Sequence, residues 1–361
     1  MSGGISATSG GYATLAEAIA SSAKLMNRFN TLTGQASSGY LSQSFAGLGD
    51  TAATALTLGP EISGLRTAQT NIGAALGPVQ VTQNAMTQIQ SIASNLLAQM
   101  PNLNGLSPAQ IDSVAAGARS DLQQVADLLD SQYAGTYVFS GQDTSNPPVP
   151  NPDQVTSSGF FTQISAAVGG LAANGASATA AATLLIASSN MPGTSPFSTY
   201  MSQATPTLPS VSTGDGHSQT IGLLASRNTS AVSAGGSTTG SYMRDLMRAL
   251  ATIGSLNSSQ IKTAGFAGLV SDTQTSVTNL ITAMSADVGD LGEKQANLTS
   301  IQTNLSDTQT ALNGQLSITQ DVNMTETLSN LTLMQTQLQA SYQLITASSG
   351  MSLVKFLPAG A

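Results

Sequence analysis

The side chains best suited to chemistry are few in this sequence and lie far apart. His217, within Gly214-Asp215-Gly216-His217-Ser218, is the single imidazole, so a metal site would rest on carboxylates alone. We expect His217 to lie in an exposed loop. A Gly-x-Ser-x-Gly elbow and a Gly-rich phosphate loop ending in Lys-Ser or Lys-Thr are both missing, so the usual signatures of hydrolases and nucleotide-binding proteins do not occur.

Three neighbouring carboxylates are the next catalytic candidates. Asp287, Asp290 and Glu293 stand beside Lys294 in a segment with heptad spacing. A general acid and base pair needs a cleft that shifts its pKa values. Because heptad spacing offers no such cleft, we predict a solvated helix face at these positions.

Asp321 and Glu326 form a second possible pair of carboxylates. Asn323 precedes Glu326 by three residues, which is the spacing of a capping box with Asn as the N-cap. Helix capping therefore explains this pair more simply than acid–base catalysis does. The sequence predicts no enzymatic activity, no cofactor and no metal.

The composition excludes further classes of function. Only 8% of the 361 residues are charged, the net charge is −8, and Cys is absent. This charge has the wrong sign for nucleic acid or anionic lipid, and a chain without Cys has no disulfide scaffold or zinc finger. No apolar run approaches the roughly 20 residues that cross a bilayer, so we expect neither a nucleic acid nor a membrane as a partner.

The first residues also lack the basic and apolar stretches of a secretory signal peptide. We therefore expect a protein that either stays in the cytosol or leaves the cell by a route that does not read such a peptide.

Long helices with apolar residues at steps of three and four are the elements that would position any functional surface. An amphipathic helix is predicted near the N-terminus, followed by a loop over residues 34–49. Heptad spacing then runs from 59 to 100 and predicts a coiled-coil or bundle shaft, with a kink at Gly77-Pro78. A shorter helix is predicted over residues 111–129.

The second half mirrors the first. Heptad spacing over residues 277–316 predicts a second shaft, followed by a break over 314–322 and a last helix that begins at the Asn323 cap. Between the halves, residues 145–240 contain eight prolines and only three charges. We predict a folded insertion with short strands there, for example over residues 159–164, with a disordered linker as the alternative.

The predicted fold is mainly α, a long antiparallel helical coiled coil or bundle formed by the N- and C-terminal regions, with a small β-containing or mixed insertion in the middle. The predicted domains are 1–50 with 321–361, 51–142 with 263–320, and 143–262. The apolar stripes of the terminal helices are narrow, and isolated helices of this length are marginal in water. Either the two ends pair within one chain, or neighbouring subunits cover them, and the spacing leaves both open.

The sequence resembles the bacterial flagellin superfamily at both ends. The N-terminal resemblance lies in Leu32-Thr33-Gly34-Gln35-Ala36-Ser37-Ser38-Gly39-Tyr40 and in Gln69-Thr70-Asn71-Ile72. The C-terminal resemblance is more specific and lies in Asp321-Val322-Asn323-Met324-Thr325-Glu326 and Leu338-Gln339-Ala340-Ser341-Tyr342. It covers residues 1–142 and 263–361. Tyr40 departs from the family's pattern, which has a basic residue after that Gly.

Two segments are most similar to the hook–filament junction proteins (hook-associated protein 3) of that superfamily. One is Gly135-Thr136-Tyr137-Val138-Phe139-Ser140-Gly141 with Pro147-Pro148, and the other is Leu353-Val354-Lys355-Phe356-Leu357. The resemblance implies a structural protein that links the hook-associated protein layer to the filament. A filament flagellin is the alternative, and a secreted adhesin or hydrolase is a remote one.

The resemblance also implies partners and a location. It implies secretion through the flagellar type III export apparatus without a cleavable signal peptide, a flagellar export chaperone, and assembly with further copies of the chain in a ring or helical layer. Other hook-associated proteins and flagellin would be its neighbours. The apolar residues expected in the assembly interface are Leu15, Ile19, Met26, Phe29, Met324, Leu328, Leu331, Leu338, Tyr342, Ile345, Leu353 and Phe356.

Overall fold

The computed structural model describes residues 8–203, 205–214 and 216–350, and side chains between residues 16 and 347. Long helices dominate these residues, so the predicted mainly α fold is confirmed. The chain forms two compact units, Met1–Gly64 with Asp307–Ala361, and Leu65–Ser306. We call them the first and the second unit.

The first unit is built from both ends of the chain. It contains helix α1 (Thr8–Ser38), a 3-10 helix (Phe45–Thr51), the beginning of α2 (Ala52–Gln99), the end of α7 (Phe266–Gln320), and α8 (Met324–Gly350). Helix α1 packs against α8. Pairing of the two ends within one chain, one of the two alternatives left open by the sequence, is therefore present.

A pair of backbone hydrogen bonds, which we call the clip, joins the segment after α1 to the segment between α7 and α8. The amide of Leu41 donates to the carbonyl of Gln320 at 2.7 Å, and the amide of Val322 donates to the carbonyl of Gly39 at 2.9 Å. Gly39 has φ +78°, a left-handed conformation that glycine adopts without steric cost. The clip therefore reverses the chain immediately after α1.

The second unit has the large hydrophobic core. It contains the rest of α2 and α7, together with α3 (Pro108–Leu129), α4 (Gly159–Gly169), α5 (Leu171–Ser188) and α6 (Tyr242–Gly254). All these helices contribute to one continuous apolar cluster. Every residue of α6 is buried, so α6 is the central helix of this unit.

Helices α2 and α7 are antiparallel neighbours in the second unit. Gln90 Nε2 donates to Ser285 Oγ at 2.7 Å, and Gln295 Nε2 donates to Gln80 Oε1 at 3.1 Å. The higher-numbered residue of α2 thus contacts the lower-numbered residue of α7, which shows that the two helices run antiparallel. Uncharged polar side chains thus set the register of the predicted shaft without burying a charge.

Two short hairpins contain all the strands of the described residues. Strands β1 (Gln132–Tyr133) and β2 (Thr136–Tyr137) pair antiparallel, and so do β3 (Ser210–Gly214) and β4 (His217–Thr220), with a register shift between Ser212 and Gly214. Residues 143–262 also include α4, α5 and α6, whose apolar residues join the core formed with α3. The three-domain division made from the sequence stays a prediction.

Several predicted boundaries were wrong. The strand predicted over 159–164 is the first part of α4, where Phe160, Ile164 and Val168 are buried at steps of four. The break predicted over 314–322 is only three residues long because α7 continues to Gln320. Helix α1 extends to Ser38, so the loop predicted from residue 34 begins later.

Helix α2 is unbroken through Gly77 and Pro78, where the sequence predicted a kink. Gly77 is needed there for contact with the first hairpin: a Cβ at this position would lie 2.3 Å from the Tyr133 ring. The glycine therefore lets an aromatic side chain lie directly on the helix backbone.

Helix α5 is the one described helix long and apolar enough to cross a membrane by length and composition, with a mean hydropathy of 1.3. Gly175 interrupts its helical backbone with φ 79° and ψ 173°. The part after Gly175 is about 20 Å long at 1.5 Å per residue, well short of a hydrocarbon core about 30 Å thick. Because α5 also packs on α4 and α6, we interpret it as part of the folded unit.

Candidate assembly surface

Exposed apolar side chains are concentrated in the first unit. Eleven of the fifteen large apolar residues that are exposed among the described side chains belong to it. They are Ile19, Tyr40, Leu41, Phe45, Leu56, Ile318, Met324, Leu328, Leu333, Tyr342 and Leu344. Exposed apolar surface of this extent marks interaction sites in soluble proteins. We call these eleven residues the assembly surface.

The first unit buries few apolar residues in exchange. Among its described side chains only Ala55, Leu58, Ile62 and Leu338 are apolar and buried, and none of them joins the core of the second unit. With so little apolar area removed from water, the hydrophobic contribution to the stability of this unit is small.

The predicted interface residues fall into four groups. Ile19, Met324, Leu328 and Tyr342 are exposed, whereas Leu338 is only 6% exposed. The half-buried ones are Met26, Phe29, Leu331 and Ile345. Leu15, Leu353 and Phe356 lie outside the residues whose side chains are described.

Helix α8 therefore has apolar side chains both on a buried face and on its exposed surface. Its inner face contains Leu331, Leu338 and Ile345 at steps of seven, together with Thr327 and Met334, all buried or half-buried. The remaining surface of α8, which we call its outer face, presents Leu328, Leu333 and Leu344 to solvent. Leu333 and Leu344 lie on one side of the helix, and Leu328 lies about 150° away around the helix axis. Intrachain pairing with α1 leaves the outer face of α8 uncovered. Sequence reasoning missed Leu333 and Leu344 because the apolar spacing was assigned to a single stripe.

The cap predicted at the start of α8 is confirmed. Asn323 Oδ1 accepts a hydrogen bond from the Glu326 amide at 3.2 Å, and α8 begins at Met324. The carboxylate of Asp321 accepts a hydrogen bond from the hydroxyl of Ser317. Both carboxylates are exposed and take part in local helix-end structure.

The segment of residues 135–148, which carries the resemblance to junction proteins, is fixed in the second unit. Phe139 is fully buried. Gly141 has φ +65°, and a Cβ there would lie 2.4 Å from the carbonyl oxygen of Thr207, so only glycine fits. The amide of Gln142 donates to that same carbonyl at 3.0 Å.

The end of this segment is held by a carboxylate with a shifted pKa. Asp130 Oδ1 accepts a hydrogen bond from the Val149 amide at 2.9 Å. Burial raises the pKa of Asp130 to about 6, the bond from Val149 lowers it, and the charge of Asp127 raises it. Because the folded state holds this proton more tightly, its contribution to stability is present below pH 3.8 and is lost as the pH rises through about 6.

The solvated face predicted for Asp287 was wrong. Asp287 is fully buried in α7. Its carboxylate accepts the backbone amides of Thr229, Ser230 and Ala231 at 2.7, 2.8 and 2.7 Å, and the Ser230 hydroxyl at 3.1 Å. The carboxylate therefore fixes a turn that the chain reaches more than fifty residues earlier.

The other two members of that carboxylate group do lie towards solvent. Asp290 is half-buried, forms an ion pair with Lys294 at 2.8 Å, and accepts from the hydroxyl of Ser230 at 2.8 Å. The bonds from Lys294 and Ser230 lower the pKa of Asp290. Glu293 is exposed.

A buried polar network on α6 was not predicted. Arg244 donates to the carbonyls of Ala187 and Ser189, the last carbonyls around the end of α5, at 3.0 and 3.1 Å. Arg248 donates to the Ser237 carbonyl at 2.8 Å and faces Asp272 at 3.7 Å. These charged side chains fasten the segments before α6 to the core.

Asp245 completes this network on α6. Its carboxylate accepts from the Thr238 hydroxyl at 2.6 Å and from the Thr239 amide at 2.8 Å. Tyr242, on the same helix, is fully buried, and its burial together with the charge of Asp287 raises its pKa. The tyrosine is therefore protonated at neutral pH.

His217 is exposed, as predicted, but begins strand β4 instead of lying in a loop. In the part of the chain that the structure describes, no three His, Cys, Asp or Glu side chains are grouped as metal ligands would be.

Comparison with known proteins identifies two matching regions, one in each terminal half of the chain. The bacterial flagellin N-terminal helical region matches residues 11–144, and the bacterial flagellin C-terminal helical region matches residues 275–357. A search of curated proteins found no match.

A solved structure described as a flagellar hook-associated protein from Vibrio parahaemolyticus shares the fold, with a TM-score of 0.52 at 10% sequence identity. The likeness covers 77% of this chain and 99% of that chain. The two flagellin regions together span more than half of the sequence and coincide with the paired ends and the antiparallel shaft. The chain therefore belongs to the bacterial flagellin family and is a structural part of the flagellum.

Proposed function

We propose that this chain joins the flagellar hook to the filament, as the hook–filament junction protein. The observation that carries the assembly role is the assembly surface of the first unit, whose described side chains include eleven exposed large apolar residues and four buried apolar ones. A surface of this kind is stable in water when other subunits cover it.

The energetics favour burial between several neighbours. Covering a fully exposed Leu or Ile side chain contributes about 1.5–3 kcal/mol, so a half-exposed one contributes about 1 kcal/mol. Ile19, Met324, Leu328 and Tyr342 would together contribute about 4 kcal/mol on this scale. Association costs at least about 4 kcal/mol in lost freedom, so the remaining assembly-surface residues must also be covered.

The mechanism is therefore association-coupled ordering. The inner face of α8 pairs with α1 in each chain, and the outer faces become buried between subunits in a ring or helical layer. The entropy lost when the ends are ordered is offset by this burial. Other hook-associated proteins and flagellin are the proposed neighbours, and a flagellar export chaperone is the proposed partner before secretion through the type III route.

Two observations favour the junction role. The segment of residues 135–148, which resembles the junction proteins, depends on Phe139 and Gly141 for its conformation. The similar solved structure is also described as hook-associated. Filament flagellin is the second candidate, because both matching helical regions are those of flagellin.

A strain that lacks this chain separates the two candidates. If the chain is the junction protein, filaments will be absent while a separate flagellin accumulates in the medium. If removal eliminates the major filament subunit itself, the junction role is wrong and the chain is the flagellin. Electron microscopy of the cells and analysis of secreted protein give the two readouts.

The assembly surface is tested by charge substitution at exposed positions. Leu328→Asp alters a side chain that is 50% exposed, so the monomer should fold normally while its incorporation into flagella is lost. Val232→Asp is the matched control, because Val232 is 87% exposed in the second unit. Normal incorporation of Leu328→Asp would contradict the role of the outer face of α8.

A further inference from the structure

We propose that a polar cleft in the second unit binds a small hydroxyl-rich anion of the sugar-acid class. The cleft has a volume of about 380 Å³ and lies between the end of α5, the turn after Ser226 and the start of α6. It is lined by Arg227 and Arg244 together with hydroxyl and amide side chains, among them Ser188, Asn190, Asn228 and Thr239. This site is distinct from the assembly surface.

No carboxylate belongs to the lining of the cleft. All the lining residues other than the two arginines are uncharged. The nearest carboxylates of the network are engaged elsewhere, because Asp245 accepts from Thr238 and Thr239 and Asp287 accepts from the turn at residues 229–231. Two guanidinium groups thus face one cleft in a chain whose net charge is −8.

Arg244 is the fixed part of the site. It is 7% exposed, and its guanidinium donates to the carbonyls of Ser226, Ala187 and Ser189 and to Asn190 Oδ1 at 2.7 Å. All four acceptors are neutral. A guanidinium has five N–H donors, so these four bonds leave one N–H, on Nη2.

Arg227 is the solvent-exposed part of the site. Burial and the charge of Arg227 lower the pKa of Arg244 to about 10, and Asp245 acts in the opposite direction. The two like charges therefore repel each other across the cleft, and Arg244 remains protonated at neutral pH. An anion between them would replace this repulsion with two attractions.

The uncharged lining residues also determine what chemistry the part of the ligand beyond its anionic group must have. Hydroxyl and amide groups offer hydrogen bonds to a hydroxylated molecule and no apolar wall to a lipid or an aromatic ring. The volume lies near the lower end of ordinary ligand pockets and suits one monosaccharide. Because a polar cleft is well hydrated, we expect a dissociation constant on the order of 1 mM.

The test is a saturation-transfer NMR titration of the full chain with D-glucuronate, with D-glucose as the neutral analogue. Inorganic phosphate, a second anion, is measured by its competition with glucuronate. Glucuronate should bind at least about tenfold more tightly than glucose, because only the acid pairs with the arginines. Methyl β-D-glucuronide, added separately, distinguishes the end of a glycan chain from a free acid. If the glycoside binds as tightly as free glucuronate, the ligand is the end of a glycan chain.

Substitutions at the opening of the cleft isolate the charge. Arg227→Ala should weaken glucuronate binding about fivefold, and Ser188→Glu about tenfold, because each lowers the positive potential. Ser188→Gln and Arg66→Ala are the matched controls and should leave the dissociation constant within about twofold. Arg66 is an exposed arginine remote in sequence from the cleft, so it reports on non-specific charge.

The opposite results would overturn the proposal. They are a dissociation constant for glucuronate above about 20 mM, equal binding of glucose, or tighter binding of phosphate than of glucuronate. An equal loss of binding in Arg66→Ala would also overturn it, because the attraction would then belong to the whole surface.

Discussion

Replacing Asp287 by Asn removes one charge from the core at nearly constant shape. In the native chain, Oδ1 accepts the amides of Ser230 and Ala231, and Oδ2 accepts the amide of Thr229 at 2.7 Å. The carboxamide that replaces the carboxylate can keep its oxygen on the first two amides. Its NH₂ group then faces the Thr229 amide, so two donors oppose each other.

The expected cost follows from these contacts. One charge-assisted hydrogen bond is lost, which is worth about 1.5–3 kcal/mol, and the amide of Thr229 is left without its acceptor. Relief from burying a charge offsets part of this loss. We therefore expect Asp287→Asn to lower the free energy of unfolding of the second unit by about 2 kcal/mol.

Urea denaturation followed by circular dichroism measures this change, and hydrogen exchange at residues 229–231 locates it. Asp290→Asn is the matched control: it lies one turn further along α7, is half-buried, and loses an ion pair with Lys294 worth about 0.5 kcal/mol. Equal changes in the two variants, or unchanged exchange at residues 229–231, would refute the reasoning.

Three further predictions concern the second unit. Gly141→Ala should lower the free energy of unfolding by about 3 kcal/mol, because its Cβ would meet the Thr207 carbonyl. Gly135→Ala, also at positive φ but in open space, should lower it by about 1 kcal/mol, and thermal unfolding measures both changes. Asp130→Asn should stabilise the chain by about 1 kcal/mol at pH 7 and not at pH 4, measured by urea titration at both values; the same gain at both would contradict the raised pKa. Limited proteolysis of dilute monomer should remove the ends first and leave a resistant fragment within residues 65–306; equal resistance of both units would count against association-coupled ordering.

The sequence predicted the elements whose signals are local. Steps of three and four mark α1, α2, α7 and α8, and the Asn323 cap marks the start of α8 to the residue. Helix α4 shows how a short segment fails: Phe160, Ile164 and Val168 have helical spacing, but Phe160-Phe161 beside a glycine was interpreted as a strand. Periodicity discriminates poorly over so few residues.

The buried charges could not be predicted because their partners are remote. Asp287 binds amides at residues 229–231, and Arg244 binds carbonyls around residues 187–189. Nothing in the spacing of Asp287, Asp290 and Glu293 indicates which one faces the core. Charged residues are usually exposed, and the solvated face predicted on α7 followed that rule, whereas the fold supplies specific donor groups for Asp287.

The clip between Gly39 and Val322 sets an order of events in time. Local helices form quickly, whereas contacts between distant parts of a chain must wait for the intervening residues. The two segments joined by this clip come from opposite ends of the sequence. A chain that is delivered progressively from one end therefore cannot complete its first unit until nearly all of the chain has been delivered. We expect the outer face of α8, with its exposed apolar side chains, to form only at the end of delivery.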